Sequence, residues 1–274
     1  MTKIVFFDVD GTLMTPKNQL PESTKLGIKQ LKENGHIPII STGRPPKMLE
    51  AVAKDLEIDN YISLNGQHIV MNDEIIFSNP LPTEALEDLM ELSYEQGDRT
   101  FLMTADQVIG NTFMNEMMDP DFLTYVSKHL SQLPTEVTVE LFKHMTEKPL
   151  PRETYENEDV LMAFVHTLEE KDSIYQKHSP ELHFTRATPL LGEAIMKGSH
   201  KATAMEKVLA HLGLPIEDTV AFGDGLNDLE MLKFANMGVA MGNGREELKA
   251  VSDYVTADVE ANGIYEGLKH LKLI

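Results

Sequence analysis

Short apolar runs alternate with segments of helical periodicity at both ends of the chain. Ile4-Val5-Phe6-Phe7 is the first run and reads as a buried strand. Thr24, Ile28 and Leu31 then recur at helical spacing, and Gly35 stops a helix over about 22–33. A strand follows over 37–40, with Pro38 placed at its beginning because a proline removes a ladder donor. The pattern continues with a helix over 46–56 and a strand over 61–64. His68–Met71 and Ile75–Phe77, joined by Asn72-Asp73-Glu74, read as a hairpin. The alternation resumes late in the chain: helix 202–212, strand 219–222, helix 227–235, strand 238–241, helix 245–251, strand 253–256 and helix 263–271. Strands and helices in such alternation predict an α/β fold, a doubly wound parallel sheet with helices on both faces. Sheets of that kind bind ligands outside the carboxyl ends of their strands.

The middle of the chain has a different grain. After Asn79-Pro80-Leu81-Pro82, a plausible linker, the pattern predicts helices over 83–96, 121–131 and 169–178. Strands are predicted over 100–104, 107–111, 137–142, 160–166 and 182–187, and the segment ends near Thr188-Pro189. These mixed helices and strands set 82–188 apart from 1–81 and 189–274. Met114, Met117 and Met118 lie in this middle segment and read as core filler, the commoner use of methionine.

Candidate chemistry falls just after the predicted core strands. Asp8-Val9-Asp10-Gly11-Thr12 places two carboxylates two residues apart where a strand opens into a loop. Like charges this close raise one another's pKa unless a cation intervenes. The plain reading is a turn with solvated aspartates. The sharper one is a metal site in which a carboxylate also acts as nucleophile. Ser41-Thr42-Gly43-Arg44 ends the second strand and precedes Pro45-Pro46, so a hydroxyl, a glycine amide and a helix start meet in an anion cradle. By itself it is equally an ordinary turn. Gly223-Asp224-Gly225-Leu226-Asn227-Asp228 offers oxygen ligands suited to magnesium; it lacks the later glutamate of a calcium loop. Lys201 opens a helix, the end at which the dipole disfavours a cation.

D-x-D-G-T, S-T-G-R, a lysine and G-D-G-x-N-D in this order resemble the haloacid dehalogenase-like (HAD) superfamily, and within it the Cof-type phosphatases with a type IIB cap. The resemblance runs the whole length and takes in Leu64-Asn65-Gly66 and Val239-Ala240-Met241-Gly242-Asn243-Gly244. Two positions depart from the pattern: His200-Lys201-Ala202 stands for Ser-Lys-Gly, and Asn262-Gly263 for Asp-Gly. The resemblance implies an HAD-like Rossmannoid core with an inserted α+β cap over 82–188 that selects substrate. It implies a Mg²⁺-dependent phosphatase of small phosphomonoesters such as sugar phosphates, flavin mononucleotide or pyridoxal phosphate. Asp8 would attack phosphorus, and Asp10 would protonate the leaving alkoxide and then deprotonate water. Mg²⁺ would be held by the Asp8 carboxylate, the Asp10 backbone carbonyl and Asp224, with Asp228 orienting the shell or ligating through water. The Val9 amide, Thr42, Gly43, Lys201 and Asn227 would cradle the phosphoryl oxygens. A phosphotransferase such as a phosphomutase shares this chemistry. A non-catalytic binder of phosphometabolites is the third reading, and it has no need of Asp8.

Composition narrows the field further. The 274 residues are 42% hydrophobic, enough for true cores, and cysteine is absent, which excludes disulfides, thiol chemistry and zinc–cysteine sites. With 24 basic and 44 acidic residues the formal charge is −20, which repels nucleic acid, and no basic stripe offsets it. Local cations must therefore bind any anionic substrate: Mg²⁺, Lys201 and Arg44. No apolar stretch approaches a membrane span and no signal peptide precedes the first strand, so a cytoplasmic protein is expected. None of the ten histidines has metal-ligand spacing to another; His200 reads as a surface residue, its sharper alternatives being a pH sensor or a substrate contact.

Overall fold

The computed structural model describes residues 2–110, 149–188 and 191–274. The predicted helix 121–131, strand 137–142 and the methionines at 114, 117 and 118 lie outside the described residues. The chain divides into two compact units. One comprises Met1–Arg44, Leu49–Ser78 and Ser199–Ile274; the other comprises Pro45–Met48 and Asn79–Gly198.

The first unit is built on an eight-stranded sheet. Its strands are β1 (Ile4–Phe7), β2 (Ile37–Ser41), β3 (Tyr61–Ser63), β4 (His68–Met71), β5 (Glu74–Ser78), β11 (Thr219–Gly223), β12 (Met237–Ala240) and β13 (Tyr254–Val255). They lie in the order β13-β12-β11-β1-β2-β3-β4-β5. All neighbours through β3 are parallel, and the β4–β5 hairpin closes the edge antiparallel. The first strand in sequence is thus central in space.

Alternate residues of β1 serve opposite faces, as the pleat requires. Val5 and Phe7 pack with Ile28 and Leu31 of helix α1 (Glu22–Glu33), Val52 and Leu56 of α2 (Glu50–Leu56), and Ile264 and Leu268 of α8 (Gly263–His270). Ile4 and Phe6 pack with Met205 and Val208 of α5 (Lys201–Leu212), Met231 of α6 (Leu229–Phe234) and Leu248 of α7 (Glu246–Lys249). Helices on both faces make the sheet doubly wound, as expected. Each fully buried side chain of β1 contributes about 1.5–3 kcal/mol, so the residue that follows the strand is held on a rigid base.

Pro38 is the second residue of β2, at the beginning of the strand, and the ladder explains why it is tolerated there. The Ile37 amide donates to Lys3 on the β1 side, and the Ile40 amide donates to Asn60 on the β3 side. Pro38 therefore turns its missing donor toward β3, which begins only opposite Ile40. The β4–β5 turn is also shorter than the sequence suggests. It contains only Asn72 and Asp73, both at positive φ (50° and 65°), and Glu74 already pairs with Met71.

The second unit carries an antiparallel five-stranded sheet, order β7-β6-β8-β10-β9. The strands are β6 (Arg99–Met103), β7 (Val108–Ile109), β8 (Met162–His166), β9 (Leu182–Thr188) and β10 (Leu191–Met196). Leu86 and Leu89 of α3 (Thr83–Glu95) and Tyr175 of α4 (Asp172–His178) pack against Leu102, Ala163, Val165 and Ala194 of the sheet. Buried Asp98 joins the layers: Thr167 and the Tyr175 hydroxyl donate to Oδ2 at 2.8 and 2.6 Å, and Lys171 donates to Oδ1 at 2.8 Å. The expected boundary at 188/189 lies between β9 and β10. It falls within the β9–β10 hairpin, and β10 pairs with both β9 and β8. Among the described residues, no helix is long and apolar enough to cross a membrane.

Candidate active site

The site grows from the carboxyl ends of β11, β1 and β2, three neighbours in the sheet. The Asp8 amide extends the ladder by one bond, donating to the Phe222 carbonyl at 3.0 Å. The chain then turns sharply: Thr12 and Met14 donate to Val9, Leu13 donates to Asp8, and Gly11 donates to Met14. Gly11 is required twice over. Its φ is +80°, and a Cβ there would meet Asp224 Oδ2 at 2.2 Å.

Asp8, Lys201, Asp224 and Asp228, up to 220 residues apart in sequence, form one cluster, buried except for the half-buried Asp224. Lys201 is 1% exposed, and its Nζ donates to Asp8 Oδ1 and to Asp228 Oδ1, both at 2.6 Å. Burial alone would lower its pKa, but Asp228 and Asp8 overcome that and hold the ammonium above its ordinary value. This explains a lysine at a helix start better than any dipole argument. Asp228 is wholly buried, and its Oδ2 accepts from the amides of Asp224 and Gly225 at 3.0 Å each. Both of its oxygens are thus engaged, one by the ammonium and one by the loop that presents Asp224.

Asp8 is pushed well above the usual carboxylate range by burial and by Asp228, against the pull of Lys201. Asp224 is pushed up to about 7 by burial and by Asp228. Carboxylate oxygens of Asp8, Asp224 and Asp228 lie within 4.8 Å of one another. Three carboxylates against one ammonium leave two negative charges in a largely dry pocket of oxygen donors. A hard divalent cation fits that deficit in charge and ligand type.

Asp10 stands apart from the cluster. Its side chain is 60% exposed and clamped by Arg44, whose Nε and Nη2 donate to its two oxygens at 2.8 and 2.5 Å. Burial opposes the Arg44 charge, but the bonds to Asp10 keep its pKa raised. The Val9 side chain is buried in the core, which leaves its backbone as the functional part. Thr42 is buried, and its hydroxyl accepts from the Arg44 amide at 3.2 Å. Asn227 is exposed, and its amide nitrogen donates to Asn65 Oδ1 at 3.4 Å.

Two residues near the site escaped the sequence reading of roles. Asn243 donates to the Gly11 carbonyl at 2.8 Å and to Asp224 Oδ2 at 3.4 Å, while its Oδ1 accepts from Val259. It ties the Asp224 loop to the D-x-D-G-T turn. The half-buried His200 caps α5: its Nδ1 accepts from the Thr203 amide, and the Thr203 hydroxyl accepts from the His200 amide. That reciprocal cap fixes the helix start from which Lys201 projects.

The family model of the haloacid dehalogenase-like hydrolases (Hydrolase_3) matches residues 5–268. The chain belongs to this family. It is 32% identical to YkrA of Bacillus subtilis, named as a phosphatase, over 100% of this chain and 99% of that protein. It is 29% identical to YitU of the same organism, a 5-amino-6-(5-phospho-D-ribitylamino)uracil phosphatase, over 97% and 96%. The structure of BT4131, a HAD subclass IIB sugar phosphatase, superposes with TM-score 0.80 at 28% identity, covering 100% of both chains. The chain is accordingly a HAD hydrolase of the phosphatase type.

Proposed function

We propose that this HAD phosphatase hydrolyses small soluble phosphomonoesters, of the sugar phosphate, flavin mononucleotide or pyridoxal phosphate type, through a phosphorylated Asp8. The observation that carries the reading is the Asp8–Lys201–Asp228 cluster. A buried carboxylate whose Oδ1 is fixed by an ammonium is a poor choice for stability and a good one for a nucleophile. Its neighbours Asp224 and Asp228 leave a charge deficit that a divalent cation fills.

In this reading the free oxygen of Asp8 attacks phosphorus in line, and the bond from phosphorus to the ester oxygen breaks. Asp10, which must leave the Arg44 clamp and carry a proton from solvent, gives that proton to the departing alkoxide. Water then attacks the same phosphorus, Asp10 takes the water proton, and the bond to Asp8 breaks to release inorganic phosphate. Lys201, Thr42, the Gly43 and Val9 amides and Asn227 hold the phosphoryl oxygens, where preorganised donors contribute most. Asp8, the Asp10 carbonyl and Asp224 would hold Mg²⁺, which would supply charge neutralisation for those oxygens. Asp228 acts behind this shell, because its oxygens are engaged by Lys201 and by the Asp224 and Gly225 amides. The second unit, which includes residues 79–198, acts as the cap that sets which ester is cleaved. The relatives' substrates, a sugar phosphate and a ribityl phosphate, support the choice of small polyhydroxylated esters.

The test is phosphate release from p-nitrophenyl phosphate and from a panel of phosphorylated metabolites, with and without a sugar acceptor. Free phosphate without acceptor, lost in Asp8→Asn while the far-UV spectrum is unchanged, is the expected result. Near-normal rates in Asp8→Asn would overturn the mechanism. Turnover only with an acceptor would make the protein a phosphotransferase.

A further inference from the structure

Between β3 and β4 the chain passes through Leu64-Asn65-Gly66, and all three residues have positive φ: 52°, 53° and 100°. Glycine enters that region freely and asparagine tolerates it. Leucine does so only at a cost, because its Cβ crowds the following carbonyl. The neighbouring reversal at Asn72-Asp73 places only residues suited to that region at positive φ. Strain of this kind persists where the surroundings impose it, and it concentrates at functional sites.

The surroundings here are the elements proposed above to bind phosphate. The Leu64 amide donates to the Arg44 carbonyl at 3.1 Å, and the Asn65 amide donates to the Thr42 carbonyl at 3.0 Å. Gly66 abuts the start of α5: a Cβ there would lie 2.8 Å from the His200 carbonyl. What the strained turn presents is the Asn65 side chain, only 4% exposed. Its amide lies against Gly43, where an added Cβ would sit 3.2 Å from both amide heteroatoms. Its Oδ1 accepts from Asn227 Nδ2 at 3.4 Å. Asn227 itself is exposed on the loop after β11.

We infer that Asn65 is a positioning residue for the phosphoryl site, acting through Asn227. One N–H of the Asn227 amide is anchored on Asn65, which directs the second N–H toward a phosphoryl oxygen. The strain at Leu64 is the means by which Asn65 reaches both Gly43 and Asn227. The inference rests on the reading that Thr42, Gly43 and Asn227 bind the transferring phosphoryl group.

Asn65→Gly tests it cleanly, since glycine keeps the left-handed turn and removes only the amide. Asn65→Asp keeps the turn and an acceptor but adds a negative charge. Binding of inorganic phosphate in the presence of Mg²⁺ is measured by calorimetry, with thermal unfolding alongside. Asn65→Gly should remain folded, unfolding somewhat below the wild-type temperature because a buried amide is lost and glycine frees the unfolded chain, and should bind phosphate about tenfold more weakly or worse, the worth of one hydrogen bond to a charged group. Asn65→Asp should bind more weakly still. Asn227→Ala should show a similar loss, and Asn65→Gly/Asn227→Ala no more than either alone, because the two act in series. Phosphate binding by Asn65→Gly within twofold of wild type overturns the inference and leaves the function standing. Fully additive losses overturn the route through Asn227. Undiminished binding by Asn227→Ala would instead refute the underlying assignment of the phosphoryl site.

Discussion

Lys201→Met removes one charge from the centre of the site and little else. Methionine is unbranched and of similar length, so the change is electrostatic before it is steric. The Lys201 Nζ is 2.6 Å from each of two carboxylates, and its side chain is fully buried. Removing one partner of a buried ion pair costs about 3–5 kcal/mol. Here a single ammonium serves Asp8 and Asp228 together, so the loss should lie near the top of that range. Protonation of Asp8, which burial and Asp228 already favour, sets the ceiling. Against a net stability of about 5–15 kcal/mol, the variant should be folded but close to its limit. Adding Asp8→Asn removes one of the two repelling charges and should restore at least half of the loss. The assay is urea unfolding followed by far-UV circular dichroism, because the chain has no tryptophan. Titrations in chelator and then in Mg²⁺ should show the cation recovering part of the midpoint. A single variant within about 1 kcal/mol of wild type, or a double variant no more stable than the single one, would refute the charge argument.

Asp10→Asn should lower turnover by about 10²–10⁴-fold without unfolding the protein, because its side chain is largely exposed; phosphate release and a melting curve decide both halves. Chelation should abolish activity and Mg²⁺ restore it, while Ca²⁺ inhibits by taking more ligands at longer distance and drawing both Asp8 oxygens into coordination. Equal rates with the two ions would contradict this. His36 accepts from the Lys3 amide through Nδ1 at 3.0 Å, and burial, aided by Lys3, holds its pKa below the ordinary 6.5. The unfolded chain therefore takes up the proton first, so this contribution is full above pH 6.5 and is lost as pH falls below it. The stability gap between wild type and His36→Ala should narrow on acidification, and a constant gap would dismiss it. Exchanging residues 79–198 for the corresponding segment of a relative with other preferences should change the ranking of substrates and retain the need for Asp8. A folded chimera whose ranking follows the core donor would place specificity in core loops such as Asn65 to His68.

The core was legible because its signals are local. Four apolar residues before Asp8, or a run before Asp224, mark a strand end without knowledge of what lies beside it. The cluster of Asp8, Lys201, Asp224 and Asp228 was assembled from motif order, and the fold supplies the physical reason: β1 and β11 are neighbours in the sheet, and Lys201 reaches Asp8 and Asp228 from the start of α5. What stayed hidden depended on partners distant in the chain. The Asp10–Arg44 clamp and the Asn243 bridge are hydrogen bonds between residues with no shared periodicity; the cap of α5 is local, His200 to Thr203, but histidine is not among the usual capping residues. Strand β10 was missed because Pro189 precedes it and Gly192 interrupts its pattern. That glycine lies over the Phe184 ring, which a Cβ would meet at 2.3 Å, a reason no inspection of 191–196 alone reveals.

The place of β1 at the middle of its sheet bears on how the protein is made. One neighbour, β2, leaves the ribosome soon after it, but the other, β11, begins at Thr219. For most of synthesis β1 holds an open edge with apolar residues on both faces, the kind of template on which foreign strands pair. Pairing across so long a loop is also slow to form. A chain released before Thr219 is therefore an aggregating fragment rather than a weakened enzyme. Truncations on either side of β11 should differ sharply in how much protein stays in the supernatant, and a fragment ending near residue 210 that remained dispersed would show that the open edge is shielded in some other way.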